Sequence, residues 1–311
     1  MKLNKTIILA LLIALSVLVG PVSADQYDVD ASMTNDEIQD IITNDAESGD
    51  TINFEAGNYN GIHLTIGKKL NLLGNGATLN GDGTSILNIA NTNGVEISDF
   101  NININNDTAD GITGSNVYNC AISNNNITNG DDGINIYMLY ENLTITNNRI
   151  TYVDRDGISL VNHATTINMT TFIPSTIAEN VIENVVYGIF LGGNFKGDII
   201  GNTIAGTTAG LTITGKSAAT NGKLNATIAN NTIAGIAMEC PNVLYLNLTG
   251  NTIGQLGTTN NSIVTNAYFD GGSHDYISVT FNDLVYQVYQ AFKDATDYAA
   301  NNTGVGAYTK P

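Results

Sequence analysis

Apolar and polar positions recur along this chain as a hexad, Ile-x-x-Asn-x-Ile. It reads Ile122-Ser-Asn-Asn125-Asn-Ile127, then Ile145-Thr-Asn-Asn148-Arg-Ile150, Ile177-Ala-Glu-Asn180-Val-Ile182 and Ile199-Ile-Gly-Asn202-Thr-Ile204. Two more follow, Ile228-Ala-Asn-Asn231-Thr-Ile233 and Leu248-Thr-Gly-Asn251-Thr-Ile253. Looser forms precede them, one with Phe100 in the fourth place and one with Asn75 there. A Gly-Ile or Gly-Leu pair follows the hexad at Gly111, Gly133, Gly157, Gly188 and Gly210. Self-similarity at roughly 22–25 residues marks a solenoid. Stretches such as Ile134-Asn-Ile136 and Ile158-Ser-Leu160 alternate with the period of a strand. Leucine-rich repeats share the spacing but need a Leu frame that this chain lacks. The pattern predicts an all-β solenoid of about 8–9 coils, roughly 40 Å long at ~4.8 Å per coil, with inward Ile, Leu and Val stacked into one core. An Asn at one place in successive coils can hydrogen-bond to its neighbours above and below, which assigns the Asn series to the scaffold.

An open solenoid needs a cap at each end. Thr34-x-x-Glu37 forms a capping box before Ile38, Ile41 and Ile42, and predicts a short helix running to about Asp45. At the other end Leu284, Val288, Phe292, Ala295 and Ala299 follow a helical stripe and predict a C-terminal helix. The expected organisation is a leader over 1–24, an N-terminal cap over 25–47, the solenoid over 48–275 and a helical cap or module over 276–311.

Charge and composition narrow the function. The formal net charge is −18, so nucleic acid and anionic membrane surfaces are repelled. Lys2 and Lys5 precede an apolar run from Ile7 to Val19, and Pro21-Val22-Ser23-Ala24 ends in a cleavable small-residue pattern. This predicts export, with no membrane span after cleavage and a monomeric product at the cell surface or beyond it. Cys120 and Cys240 fall about five coils apart, roughly 24 Å, too far for a disulfide, and both read as buried apolar residues. Nine Asn-x-Ser/Thr sequons follow the leader, among them Asn142, Asn168 and Asn301. Those within the ladder are inaccessible, which leaves loop sites for glycosylation.

Ser48-Gly-Asp-Thr-Ile-Asn-Phe-Glu-Ala-Gly57-Asn-Tyr-Asn-Gly61, followed by Leu70-Asn-Leu-Leu-Gly-Asn75, resembles the opening of pectate-lyase-like, right-handed β-helix repeat proteins. The resemblance covers residues 34 to about 270 and implies a right-handed parallel β-helix. In its Asn- and Ile-rich coils behind a short leader, the chain is similar to adhesin-like surface proteins of methanogenic archaea. Tyr276 to Val305 is faintly similar to pseudomurein-binding repeats.

Two features depart from the repeat. Insertions at Val161 to Thr176 and Thr214 to Thr227 fall at one corner of the solenoid, after the Gly-Ile strand. Loops added along one edge often bind ligands. Tyr118, Tyr137, Tyr140, Phe172 and Phe195 belong to that corner and are candidates for stacking on sugar rings. A second corner carries Asp107, Asp110, Asp131, Asp132, Asp154, Asp156 and Glu183. Carboxylates one or two coils apart suit glycosidase chemistry, since ~5 Å and ~10 Å approximate the retaining and inverting separations. Asn106-Asp-Thr-Ala-Asp110-Gly-Ile and Gly130-Asp131-Asp132-Gly-Ile resemble the paired motifs of polygalacturonases. The resemblance implies Asp110, Asp131 and Asp132 as acid and base. It breaks where that family has Gly-His-Gly, because this chain reads Arg155-Asp156-Gly157, and its Arg-x-Lys clamp has no counterpart. Asp131, Asp132, Asp154 and Asp156 are also a candidate calcium set, since clustered carboxylates suit that ion, while Asp-Gly pairs are common in plain turns. A lyase fits less well: the chain has only Arg149 and Arg155 as arginines, and His63, His163 and His274 lie in unrelated contexts. The expectation is an adhesin-like surface protein that binds glycans or cell-wall polymer with no cofactor. The competing reading is a polysaccharide-degrading hydrolase.

Overall fold

The computed structural model describes residues 24–253, apart from 166, 215, 218–219, 234–235 and 240–241, together with strands Thr265–Phe269, Ile277–Phe281 and Val288–Phe292. Residues 1–23 of the leader and Cys240 lie outside the described residues.

The hexads and Gly-Ile pairs become strands that pair in parallel with the same strand of the next coil, in three columns. The first runs through Thr51–Phe54, Asn71–Leu73, Glu96–Ser98, Ala121–Ser123 and Thr144–Thr146. Its Ile52, Leu72, Ile97, Ile122 and Ile145 stand in register and buried. The second column aligns Ile102, Ile127, Ile150, Ile182 and Ile204, and the third aligns Leu87, Ile112, Ile134, Ile158 and Ile189. Each coil thus sends three apolar stripes inward, and they merge into one core. The Gly-Ile glycines are required by contact between coils. A Cβ on Gly133 would meet the Gly157 carbonyl oxygen at 2.6 Å, and one on Gly157 the Gly188 carbonyl oxygen at 2.6 Å.

The Asn ladder is continuous and buried. Asn125, Asn148, Asn180, Asn202, Asn231 and Asn251 are each 0–1% exposed. The Nδ2 of Asn148 donates to Asn180 Oδ1 at 3.0 Å and to the Ile122 carbonyl at 2.9 Å, while its own Oδ1 accepts both the backbone N–H and the Nδ2 of Asn125. The same bonds repeat to Asn251. The ladder ends at Phe100, whose N–H donates to Asn125 Oδ1. Phe100 packs edge-on against Phe54 at 5.0 Å. One coil earlier the column holds Ala77 rather than Asn75, because Thr78 pairs with Asn101 and Asn75-Gly76 forms an extra turn with positive φ.

The N-terminal cap has the expected form. Thr34 accepts from the Glu37 N–H, and Glu37 reaches back to Thr34 over helix Asn35–Asp40. A π-helical turn, Ile41–Asp45, completes it, and Ile38 and Ile42 cover the end of the core. Cys120 is buried and free.

The C-terminal end differs from expectation. Val288–Phe292 is a strand paired in parallel with Thr265–Phe269, not a helix. Ile277–Phe281 extends the first column beside Leu246 to Asn251, so the solenoid continues past residue 275. A free strand column offers five residues their backbone partners, and Val288, Tyr289 and Phe292 are types that suit strands, so tertiary pairing overrides the short helical stripe. Leu284, Ala295 and Ala299 lie outside the described residues.

Candidate functional site

Two exterior corners depart from simple repetition. At the acidic corner Asp110, Asp132 and Asp156 each precede a third-column Ile by two residues, and those isoleucines are in register. One carboxylate per coil therefore stacks along the axis. Each serves the coil that follows it. The Asp132 N–H donates to Asp110 Oδ1 at 3.1 Å, and the Asp156 N–H donates to Asp132 Oδ1 at 2.9 Å. Asp110 Oδ2 also accepts from Asn135 at 3.1 Å.

Like charges at this spacing repel, and Arg155 offsets the repulsion. Its Nε donates to Asp132 Oδ1 at 2.9 Å, its Nη2 donates to Asp132 Oδ2, and Nη2 lies 3.3 Å from Asp131 Oδ2. Asp156 Oδ2 stands 3.8 Å from Nε. Asp132 is fully buried beneath this fork, while Asp110 and Asp131 are half-buried. Burial, then the charge of Asp132, raises the carboxyls of Asp110 and Asp131 above the usual range. The same causes push Asp156 up to about 7, with Arg155 opposing. Its Oδ1 is buried without a hydrogen-bond partner, as a neutral carboxyl at the edge of a charged cluster can tolerate better than an anion.

The three carboxylates that the polygalacturonase resemblance singles out do converge: Asp110, Asp131 and Asp132 each offer an oxygen within 4.8 Å of the others. The remaining acids do not join them. Asp107 and Asp154 face solvent, and Glu183 pairs with Arg149 at 2.8 Å. The calcium set Asp131, Asp132, Asp154 and Asp156 does not assemble. Asp154 is turned out, and both oxygens of Asp132 accept from Arg155, whose guanidinium stands where a cation would. Six to eight free oxygens are needed for that ion.

At the loop corner three of the five aromatic candidates are corrected. Tyr140 is 0% exposed, and its hydroxyl donates to the Asn194 carbonyl inside the core. Phe195 points inward from strand Phe195–Ile200, and Phe172 packs beneath its own loop with Met169. That loop is tied down by the Lys196 ammonium on the Met169 carbonyl and by Asn194 Nδ2 on the Ala164 carbonyl. Tyr118 is half-buried, and only Tyr137, at 44%, presents much of its ring.

Sequence reasoning missed the most exposed large hydrophobic side chain among the described residues, Tyr152 at 63%. It adopts φ 56°. The equivalent position holds Asn129 in the preceding coil and Asn184 in the following one, with φ 64° and 57°. Met138 repeats the departure. Its φ is 74°, where Asn91 and Asn116 occupy the same place in the two coils before it. One extra residue there turns Met138 outward between Tyr137 and Leu139, so that all three are exposed. Asn tolerates the left-handed region and other side chains rarely enter it, so a break in the Asn series at a corner was the legible signal.

Comparison with known proteins agrees with this architecture. The family model for the right-handed β-helix region matches residues 75–233. The crystal structure of Jun a 1, the major allergen from cedar pollen, superposes with a TM-score of 0.52 at 19% identity, over 90% of this chain and 87% of that one. At that identity the likeness is one of fold. No curated protein matches the sequence. The fold is a right-handed parallel β-helix, and the chain belongs to the right-handed β-helix family.

Proposed function

We propose that the protein is an exported, adhesin-like rod that binds glycans or cell-wall polymer without catalysis. One observation carries this reading: Tyr152 and Met138 hold strained left-handed positions that neighbouring coils fill with Asn, and the strain sets rings and apolar side chains outward. Backbone strain of this kind persists where a function uses it. Rigid, exposed tyrosines suit the apolar faces of sugar rings, because the ring binds with little loss of conformational freedom. The leader, Met1 to Ala24, supplies the export signal. The test is a glycan array and a pull-down on insoluble cell-wall polymer with the full exported chain. Tyr137→Ala with Tyr152→Ala should reduce binding at least tenfold. Undiminished binding by the double variant would remove the reading.

A second reading is polysaccharide hydrolysis, favoured by the convergence of Asp110, Asp131 and Asp132. Raised carboxyls at Asp110 and Asp131 suit a general acid. It ranks second because Asp132, the third member, is sealed beneath Arg155 and out of reach of a sugar. A reducing-end assay decides between them. Turnover that Asp131→Asn abolishes would establish the hydrolase and end the non-catalytic reading.

A further inference from the structure

Seven sequons fall among the described residues, at Asn106, Asn126, Asn142, Asn168, Asn225, Asn230 and Asn247. The fold treats them in two ways. Asn225 and Asn247 stand within first-column strands, where Thr227 and Thr249 pair with neighbouring coils. Asn126 donates its Nδ2 to Asn101, and Asn142 donates its own to Asn119 at 2.8 Å. The Thr144 and Thr232 N–H groups are committed to carbonyls of the preceding coil, Cys120 and Asn202. In these five sequons the Thr belongs to the ladder and cannot turn back on its Asn.

Asn106 and Asn168 are different. The Thr170 N–H donates to Asn168 Oδ1 at 3.0 Å, and Asn168 and Thr170 are both exposed. Thr108 donates to Asn106 Oδ1 from its N–H and from its hydroxyl, each at 2.8 Å. Both sequons are closed side-chain turns; Asn168 lies off the strands, while Asn106 is the last residue of strand Asn101–Asn106, with its Thr108 beyond the strand end. The turn occupies Oδ1 in each, and the Asn106 Nδ2 lies against Gly83 of the preceding coil, which makes Asn106 the poorer acceptor of the two. Asn168 also sits at the crest of the long loop, whose underside is fastened by Met169 and Phe172.

We infer that Asn168, and secondarily Asn106, are the positions at which the folded chain accepts an N-linked glycan. The donor is an oligosaccharide joined through its anomeric carbon to a lipid phosphate or pyrophosphate. The Asn Nδ2 forms a bond to that carbon, and the carbon–oxygen bond to phosphate breaks with its electron pair leaving on the lipid phosphate. The nitrogen gives up one proton to a base of the transferase. The inference rests on export, because the transferase works at the far face of a membrane. Its test in solution does not, so failure of export and failure of the acceptor can be told apart.

The folded, full exported chain is incubated with a purified single-subunit oligosaccharyltransferase and a lipid-pyrophosphate oligosaccharide, and occupancy is read from glycopeptide masses. The expected result is high occupancy at Asn168, less at Asn106, and at least tenfold less at Asn126, Asn142 and Asn230. Asn168→Gln and Thr170→Ala should each remove one glycan mass, and Thr170→Ser should retain it. A bare Asn168, or equal occupancy at Asn126 and Asn142, would overturn the inference.

Discussion

Replacing Tyr152 by Asn should make the protein more stable than replacing it by Ala, while both abolish the same ligand contact. Tyr152 holds φ 56°. A residue with an ordinary Cβ gives up about 1–2 kcal/mol in that region, and Asn recovers much of this through local side-chain bonding. Losing the ring is common to both variants, since it is 63% exposed and the covered remainder disappears in each. The difference between them therefore isolates the backbone, at about 1 kcal/mol in favour of Asn. The Asn side chain gains a further bond if it repeats what Asn129 does with Asn103 at 2.8 Å. Equilibrium urea unfolding with a fixed m-value reads the difference as a shift in midpoint, and polymer pull-down reads the binding. Equal midpoints for the two variants would show that Tyr152 is not strained. Retained binding by both would show that its ring is not a ligand contact.

Three further outcomes follow from the interior and the acidic corner. Asn148→Ala should destabilise by about 3–5 kcal/mol, because the Asn125 N–H and the Ile122 carbonyl lose their partners where no water reaches; urea unfolding measures it, and a loss below about 1 kcal/mol would mean the ladder is replaceable. Arg155→Met should cost about 3–5 kcal/mol by leaving the Asp132 charge buried without its counter-ion, and Asp132→Asn in that background should restore most of it. Stability should also fall as pH rises from about 4 to 7. Folded Asp156 keeps its proton up to about 7 while the unfolded group releases it near 3.8, so the folded state binds more protons across that window. At about 1.4 kcal/mol per pH unit the loss is a few kcal/mol, and Asp156→Asn should flatten the curve; an unchanged slope in that variant would refute the assignment.

The scaffold was legible because period and chemistry agreed at each coil. Ile122, Ile145 and Ile177 mark one column, and the Asn that follows each marks the ladder. The capping box at Thr34 and Glu37 was legible for the same reason: two residues suffice to make it. The C-terminal end was not, since five residues with Val288 and Phe292 four apart satisfy helix and strand equally, and the neighbouring strand decides. The acid trio was legible through its motifs, but the part of Arg155 was not. Its guanidinium reaches back one coil to Asp132, and a distance of 23 residues in sequence carries no sign of that contact. Inward or outward direction of aromatics was the weakest inference. Alternation from the inward Ile134 and Ile136 already places Tyr137 outward and Tyr140 inward, and only Met138, at the added residue, departs from it.

The Asn ladder carries one more consequence, for how such a chain can change over generations. Every rung makes the same contacts with the next, so a coil can be duplicated or lost as a unit without redesigning its neighbours. Tyr152 and Met138 show the complementary freedom: a corner residue differs from its counterparts in other coils while the rungs beside it keep their bonds. Length and surface are thus inherited through separate positions. A lineage built on this plan can lengthen its rod or change its exposed surface in independent steps, and the corner residues of one coil should transplant to another without disturbing the rungs.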